Sequence, residues 1–393
     1  MDYRSAAHWT TMHCGNYYCE MALKNAAELV KRNSVNPPGD EYEAALYCAE
    51  ELKKLGFDVV LDEFEPRRCN VIATYGDKDD IGILFNGHLD VVPVTGEWKY
   101  PPFDAVVADG NLYGRGSADM KGGCAAMMAA AACIADKHIQ ERGIMIIFNS
   151  DEESVNKGMR RIVETRELKA DAAVIGEPTE MNVCLGNKGY ASYYITVKGL
   201  ACHASAPEKG DNAIYKMGHV LKRLESFAGE VRGIIHPQLG PASFSTGTIK
   251  GGSLVNTVPD HCMLEVERRI LPGETKDEVI NGIKRAAGDF AEVSERSWMD
   301  AGWLDPGHPF VSDLAGTVEL ATNRKPLIER FPAGTESSFF SVKFGIPTLI
   351  MGPGSLQRAH KIDEYIPVQQ IYEAVKAYTA IARLYSSAKR SNG

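Results

Sequence analysis

The chain has 393 residues, room for two or three hydrophobic cores, and its 44% hydrophobic and 24% charged content is that of an ordinary globular protein. Its formal net charge is −9 with no Lys/Arg-rich block, so it lacks the basic footprint that binding a phosphate backbone requires. Nucleic acid is excluded as a partner. A membrane span is excluded too, because no apolar run approaches the roughly eighteen residues one needs. The first twenty residues lack the basic start and apolar centre of a signal peptide. Nine scattered cysteines read as free thiols in a reducing compartment, and Cys14 and Cys19 have no second pair with which to complete a zinc site. The expectation is a cytoplasmic protein.

In chain order, residues 17–34 show helical periodicity closed by the turn chemistry of Asn36-Pro37-Pro38-Gly39, and residues 40–57 form a second amphipathic helix stopped at Gly56. Residues 58–64, 69–75 and 82–90 read as strands. The Ala-rich stretch 120–138 reads as an apolar helix, 142–154 as a short buried strand ending in acids, 161–168 as a helix and 171–179 as a strand. Strands alternating with helices indicate an α/β layer with a largely parallel sheet. The texture changes near residue 187. From there to about 298 the order is β-α-β-β-α-β, which suits a ferredoxin-like module. Residues 345–354 and a last helix from Val368 return to α/β texture. The predicted organisation is a catalytic domain of residues 1–186 and 299–393, with helices on both faces of its sheet, interrupted by a lid or dimerisation domain of residues 187–298.

Ligands of open α/β sheets collect at the carboxyl ends of the strands. The polar residues just beyond those ends are His88 and Asp90 in "NGHLDVVP", Asp119 in "GRGSADMKGG", Asp151, Glu152 and Glu153 in "NSDEES", Glu177 in "GEPT" and His360 in "RAHKIDEYI". In a strand, His88 and Asp90 would face one spot, a buried polar pair that must be satisfied. Each residue has an ordinary reading as well: His88 as a hydrogen-bonded core histidine, Asp119 as a helix N-cap, "DEES" as a solvated loop, Glu177 as a turn residue. Carboxylates gathered this densely, with hardly a lysine or arginine among them, repel one another unless cations sit between them. Nitrogen and oxygen donors without cysteine suit zinc or another first-row divalent ion. "GRGSAD" mimics part of a dinucleotide-binding loop, but the third glycine is missing and an acid stands where a phosphate would lie.

The segments "GHLDVVP", "LYGRGSADMKGG", "DEES", "GEPT" and "AHKIDEYI", in this order, resemble the signatures of the dinuclear zinc amidohydrolases and metallopeptidases. That family includes acetylornithine deacetylase, succinyl-diaminopimelate desuccinylase, aminoacylase and related carboxypeptidases. The resemblance implies two divalent ions per subunit, zinc with cobalt or manganese as alternatives. His88 would bind one ion and His360 the other, Asp119 would bridge them, Glu177 would complete the first site and Glu153 the second. Glu152 would be the general base and Asp90 the carboxylate that orients His88. A cis peptide at Asp119–Met120 is implied as well. In "KGLACHASAPEKGDNAI" the resemblance implies that His203 donates to the reaction's oxyanion across a homodimer formed through the inserted domain. Asn256 and Arg269 match substrate-holding positions, with Arg269 rather than its neighbour Arg268 as the fork for an α-carboxylate. "PAGTESSFF" resembles the substrate-side loop, making Gly334 and Thr335 candidate contacts, and Glu336 stands where many desuccinylases have aspartate. The implied activity is hydrolysis of the amide of an N-acyl-L-amino acid. The alternatives are a dipeptidase or carboxypeptidase of the same family, or a catalytically dead binding protein, against which the presence of Glu152 argues.

Overall fold

In the computed structural model, which describes residues 2–138 and 140–387, the chain divides into two compact units. One consists of Met1–Gly186, Trp303–Phe331 and Thr335–Gly393, the other of Asn187–Gly302 with Pro332–Gly334.

The larger unit is built on an eight-stranded sheet. Read across it, the strands are Asp58–Glu65, Arg68–Tyr75, Gly143–Asn149, Ile81–His88, Ala172–Ile175, Thr348–Ile350, Val183–Cys184 and Ile328–Glu329. The four central strands, from Gly143–Asn149 to Thr348–Ile350, pair in parallel, while Asp58–Glu65 and Arg68–Tyr75 add an antiparallel edge. Every residue of Ile81–His88 is buried, as expected of a parallel strand covered on both faces. The helix Gly122–Lys137 is buried at every residue from Gly122 to Ala135 and packs between the helices Asn16–Lys31 and Val368–Tyr385. Its run of alanines is what lets it lie in the core without a polar face. Close approach also demands glycine at one crossing, since a Cβ on Gly123 would stand 2.5 Å from the carbonyl oxygen of Gly176. Gly176 precedes Glu177, so this packing fixes the end of the Ala172–Ile175 strand.

Two helices of this unit escape the sequence reading, Tyr3–His13 and Pro309–Thr322. They pack on each other and on Val368–Tyr385. The second carries Gly316 and several β-branched residues, so tertiary contact rather than intrinsic propensity holds it.

The smaller unit has a four-stranded antiparallel sheet in the order Ser243–Gly251, His261–Ile270, Gly189–Lys198, Ala291–Met299. The helices Ala213–Arg232 and Lys276–Ala287 follow its first and third strands, which gives the β-α-β-β-α-β order and strand arrangement of a ferredoxin-like module. Gly189–Lys198 alternates buried and half-buried positions along its length, the pattern of a sheet covered on one face. Its helix Lys276–Ala287 opens with a capping box between Thr275 and Glu278. Among the described residues no helix is long and apolar enough to cross a membrane. All nine cysteines are thiols, eight of them buried.

Candidate metal centre

Strand ends and the turns directly after them supply His88, Glu152, Glu153 and Glu177, whereas Asp119 and His360, expected at strand ends too, lie in turns six and ten residues past the preceding strands. The strand Ile81–His88 delivers His88, and its parallel neighbour Gly143–Asn149 leads into the turn carrying Asp151, Glu152 and Glu153. Asp119 is not a helix N-cap: the helix begins at Gly122, and Asp119 sits in the preceding irregular turn with extended backbone (φ −124°, ψ 96°). The Asp119–Met120 peptide is cis. Glu364 secures this turn. Its Oε1 accepts the backbone N–H groups of Ala118 (3.0 Å) and Asp119 (3.2 Å), and its Oε2 pairs with the buried guanidinium of Arg115 at 2.6 Å.

Asp119 lies between the two imidazoles. His88 Nε2 is 3.1 Å from its Oδ1 and His360 Nε2 is 3.3 Å from its Oδ2. Each imidazole has a second carboxylate. Glu177 Oε1 is 3.7 Å from His88 Nε2, and Glu153 Oε1 is 2.9 Å from His360 Nε2. The ligand atoms of His88, Asp119 and Glu153 lie within 4.8 Å of one another, and so do those of Glu152, Glu177 and Glu336. His88 is buried, whereas the side chain of His360 is 51% exposed, so the cluster opens toward solvent on the His360 side.

Asp90 departs from the strand-period expectation. The strand ends at His88, and the oxygen nearest to His88 Nδ1 is the Asp90 backbone carbonyl at 3.0 Å, with the carboxylate Oδ1 at 3.6 Å. The carboxylate instead accepts the backbone N–H groups of Glu152 (3.0 Å) and Glu153 (3.1 Å) and the amide of Asn36 (2.9 Å). Asn36 also donates to Asp151 Oδ1 at 3.0 Å, and Arg68 pairs with Asp151 at 2.8 Å and Glu41 at 2.6 Å. Asp90 therefore holds the Glu152–Glu153 turn beside His88.

Electrostatics fit cations. Burial raises the proton affinity of Glu152, Glu177 and Glu336, and neighbouring carboxylates add to it for Glu152 and Glu177. Burial also raises Glu153, against the pull of His360. Burial alone would lower His88, but its contacts with Asp119 and Asp90 carry it well above the ordinary imidazole value. Hydrogen bonds to Asp119 and Glu153 raise His360 to about 10. Without cations, the group keeps its charge tolerable only by gathering protons; divalent ions would replace those protons. The donor set is oxygen and nitrogen throughout. Cys124 donates its thiol to the His88 carbonyl at 3.4 Å, and burial raises it to about 12, so it brings no thiolate. These residues fit two divalent ions around Asp119.

Four of the expected residues, His203, Asn256, Arg269 and Gly334, lie in the smaller unit. His203 is exposed in a two-residue strand, its Nδ1 2.7 Å from Ser205 Oγ. Exposed Asn256 accepts the Ala204 N–H at 2.9 Å through its carbonyl, which sets it beside the His203 strand. Arg268 is buried in an ion pair with Glu274, whereas Arg269 is 40% exposed at the side chain and pairs with Glu267 at 2.8 Å. Gly334 lies against Tyr190 and Met299. Thr335, in the larger unit, is fully buried, and its hydroxyl accepts the Ser337 N–H at 3.1 Å.

The sequence reading passed over Glu364, Arg115, Asn36 and Arg68, and treated Glu336 only as a mark of the substrate-side loop. "DEYI", which begins three positions after His360, was the one available signal, for Glu364.

The family model of peptidase family M20/M25/M40 matches residues 84–384. Among solved structures, an M20-family metallo-carboxypeptidase of Sulfolobus solfataricus superposes with a TM-score of 0.76 at 21% identity, covering 93% of this chain and 99% of that one. A dipeptidase of Saccharomyces cerevisiae gives 0.70 at 15% identity over 98% and 99% of the two chains. A Bacillus subtilis protein described as a dinuclear metal-binding peptidase of the M20 family gives 0.70 at 15% identity over 94% and 99%. At these identities the structures show a shared fold, and the family match covers most of the chain. The chain belongs to peptidase family M20/M25/M40, a family of dinuclear-metal peptidases and related hydrolases.

Proposed function

We propose that this chain is a metal-dependent hydrolase that cleaves the amide bond of an N-acyl-L-amino acid. The observation carrying the reading is the placement of Asp119 between His88 and His360, each imidazole with its own second carboxylate and Glu152 adjacent to the group. In this reading His88 and Glu177 would hold one ion and His360 and Glu153 the other, with Asp119 placed to serve both. Zinc suits the donors, as do cobalt and manganese. When bound, the ions supply Lewis acidity to the attacking water and to the scissile carbonyl.

Glu152 takes a proton from the water as it adds to the carbonyl and delivers it to the departing amine, so that water and amide become carboxylic acid and amine. Asp90 fixes the direction of Glu152 by holding its backbone N–H. His203, exposed on the smaller unit, donates to the oxyanion in the partner's site of a homodimer. Arg269 binds the substrate's α-carboxylate as a planar fork, helped by Asn256, Gly334 and Thr335. The setting is cytoplasmic.

A dipeptide or C-terminal peptide substrate is the second reading, favoured by the carboxypeptidase and dipeptidase among the similar folds. The test is metal content, followed by turnover of the metal-loaded protein on a panel of N-acetyl and N-succinyl amino acids and dipeptides. Preference for the acyl amino acids supports the first reading. Preference for dipeptides supports the second, and metal-loaded protein inert on the whole panel refutes both.

A further inference from the structure

Glu336 sits on what the sequence marks as a substrate-side loop, yet its side chain is fully buried. One oxygen each of Glu336, Glu152 and Glu177 lie within 4.8 Å of one another. Glu336 Oε1 accepts a hydrogen bond from Asn149 Nδ2 at 2.8 Å. Asn149 Oδ1 in turn accepts from Asn86 Nδ2 at 2.8 Å, which also donates to the Ile147 carbonyl at 3.0 Å. Asn86 precedes His88 by two positions on one strand and therefore shares its face. Asn149 lies opposite His88 in the parallel register and leads into the Glu152 turn. This ladder of amides ties Glu336 to both strands that deliver the centre.

The ladder uses one carboxylate oxygen only. Glu336 Oε2 is buried without a hydrogen-bond partner. A fully buried carboxylate oxygen facing no donor is expensive unless something else satisfies it. Its neighbours in the group are carboxylates, which in their ionised form cannot. A cation can.

We propose that Glu336 is a further anionic donor of the centre, holding with Glu177 one of the two divalent ions through the oxygen that Asn149 leaves free. This rests on the reading of the centre as dinuclear. The competing role is a framework one, in which Glu336 matters only as the partner of Asn149.

The experiment is calorimetric titration of chelator-stripped protein with Zn2+ alone, comparing the native chain with Glu336→Gln, alongside thermal melting of both in chelator. Glutamine keeps an oxygen for Asn149 and exchanges the other for an uncharged amide. One of the two zinc ions is expected to bind more weakly by at least the roughly 10–100-fold seen when a residue behind a metal ligand is removed, while the other ion is unaffected. The stripped variant is expected to melt at or above the native midpoint, because one member of a mutually repelling group is gone. Native affinity for both ions in Glu336→Gln overturns the inference. Equal weakening of both ions with a lowered midpoint in chelator also overturns it, in favour of the framework role. Should Glu336→Gln fail to fold, Glu336→Asp keeps the charge on a shorter arm and is expected to weaken the same single ion; native affinity in that variant overturns the proposal. A native chain that takes up fewer than two zinc ions refutes the dinuclear reading itself, and this inference with it.

Discussion

Replacing Asp90 with asparagine tests how the centre is held. The carboxylate accepts three hydrogen bonds, from the backbone N–H groups of Glu152 and Glu153 and from Asn36 Nδ2, with no exposure to solvent. Burial opposes its charge, but His88 and these donors keep its carboxyl below the usual carboxylate range. An asparagine retains one accepting oxygen. With that oxygen toward Glu152, the new NH2 faces the donors of Glu153 and Asn36; turned round, it faces Glu152. Asn36 cannot flip to accept without abandoning Asp151, to which it also donates. At least one hydrogen bond to a charged group is lost and a buried donor is left unpaired, the first worth about 1.5–3 kcal/mol and the second costing about 1–3 kcal/mol. The expected loss is therefore about 3–5 kcal/mol, a large part of the roughly 5–15 kcal/mol that holds a typical protein folded. Urea unfolding in chelator, where ions make no contribution, measures it against the native chain. In the metal-loaded protein, kcat should fall as well, because the Glu152 turn loses its anchor. A variant within about 1 kcal/mol of native in chelator, at a level ordinary for surface substitutions, would show that Asp90 does not hold the turn.

Glu152→Gln should retain both ions by elemental analysis yet lose about 10²–10⁴-fold in kcat, the usual worth of general-base assistance, whereas Glu153→Gln should lose occupancy of one ion; the reverse pattern would exchange their roles. Exhaustive chelation should abolish turnover, and zinc, cobalt or manganese should restore it; full activity of metal-free protein would refute the mechanism. Glu364→Ala strands the buried Arg115 guanidinium and two backbone donors at the Asp119 turn, and urea unfolding should register about 3–5 kcal/mol of destabilisation. His203→Ala should lower kcat roughly 10²–10³-fold with little change in KM, and mixing it with Glu152→Gln should restore activity in verified mixed dimers. A monomeric protein, or inactive mixed dimers, would show that His203 does not act across an interface.

Alternation and helical periodicity determine most elements of this protein, because each depends on residues two to four positions apart and those rules are local. The parallel core and the antiparallel ferredoxin-like sheet correspond to expectations from these patterns, and the cis peptide after Asp119 to what the family resemblance implied. The polar residues at strand ends were legible for the same reason: a charged residue directly after a buried strand stands out against its neighbours. The helix Pro309–Thr322 was passed over although Pro309 opens it and Phe310, Val311, Leu314 and Val318 have helical spacing; Gly316 and its β-branched residues weaken that local signal, and contacts with Val368–Tyr385 support it. Only the tertiary structure decided what surrounds the centre. Asn149 meets Glu336 across 187 positions and Ala118 meets Glu364 across 246, pairings set by the order of strands in the sheet, which leaves no local trace. Asp90 shows the difference at closest range. The sequence placed it beside His88, and its Oδ1 is 3.6 Å from His88 Nδ1, but only the fold shows that the same carboxylate also accepts the backbone of a turn 62 residues away, where two buried N–H groups need an acceptor.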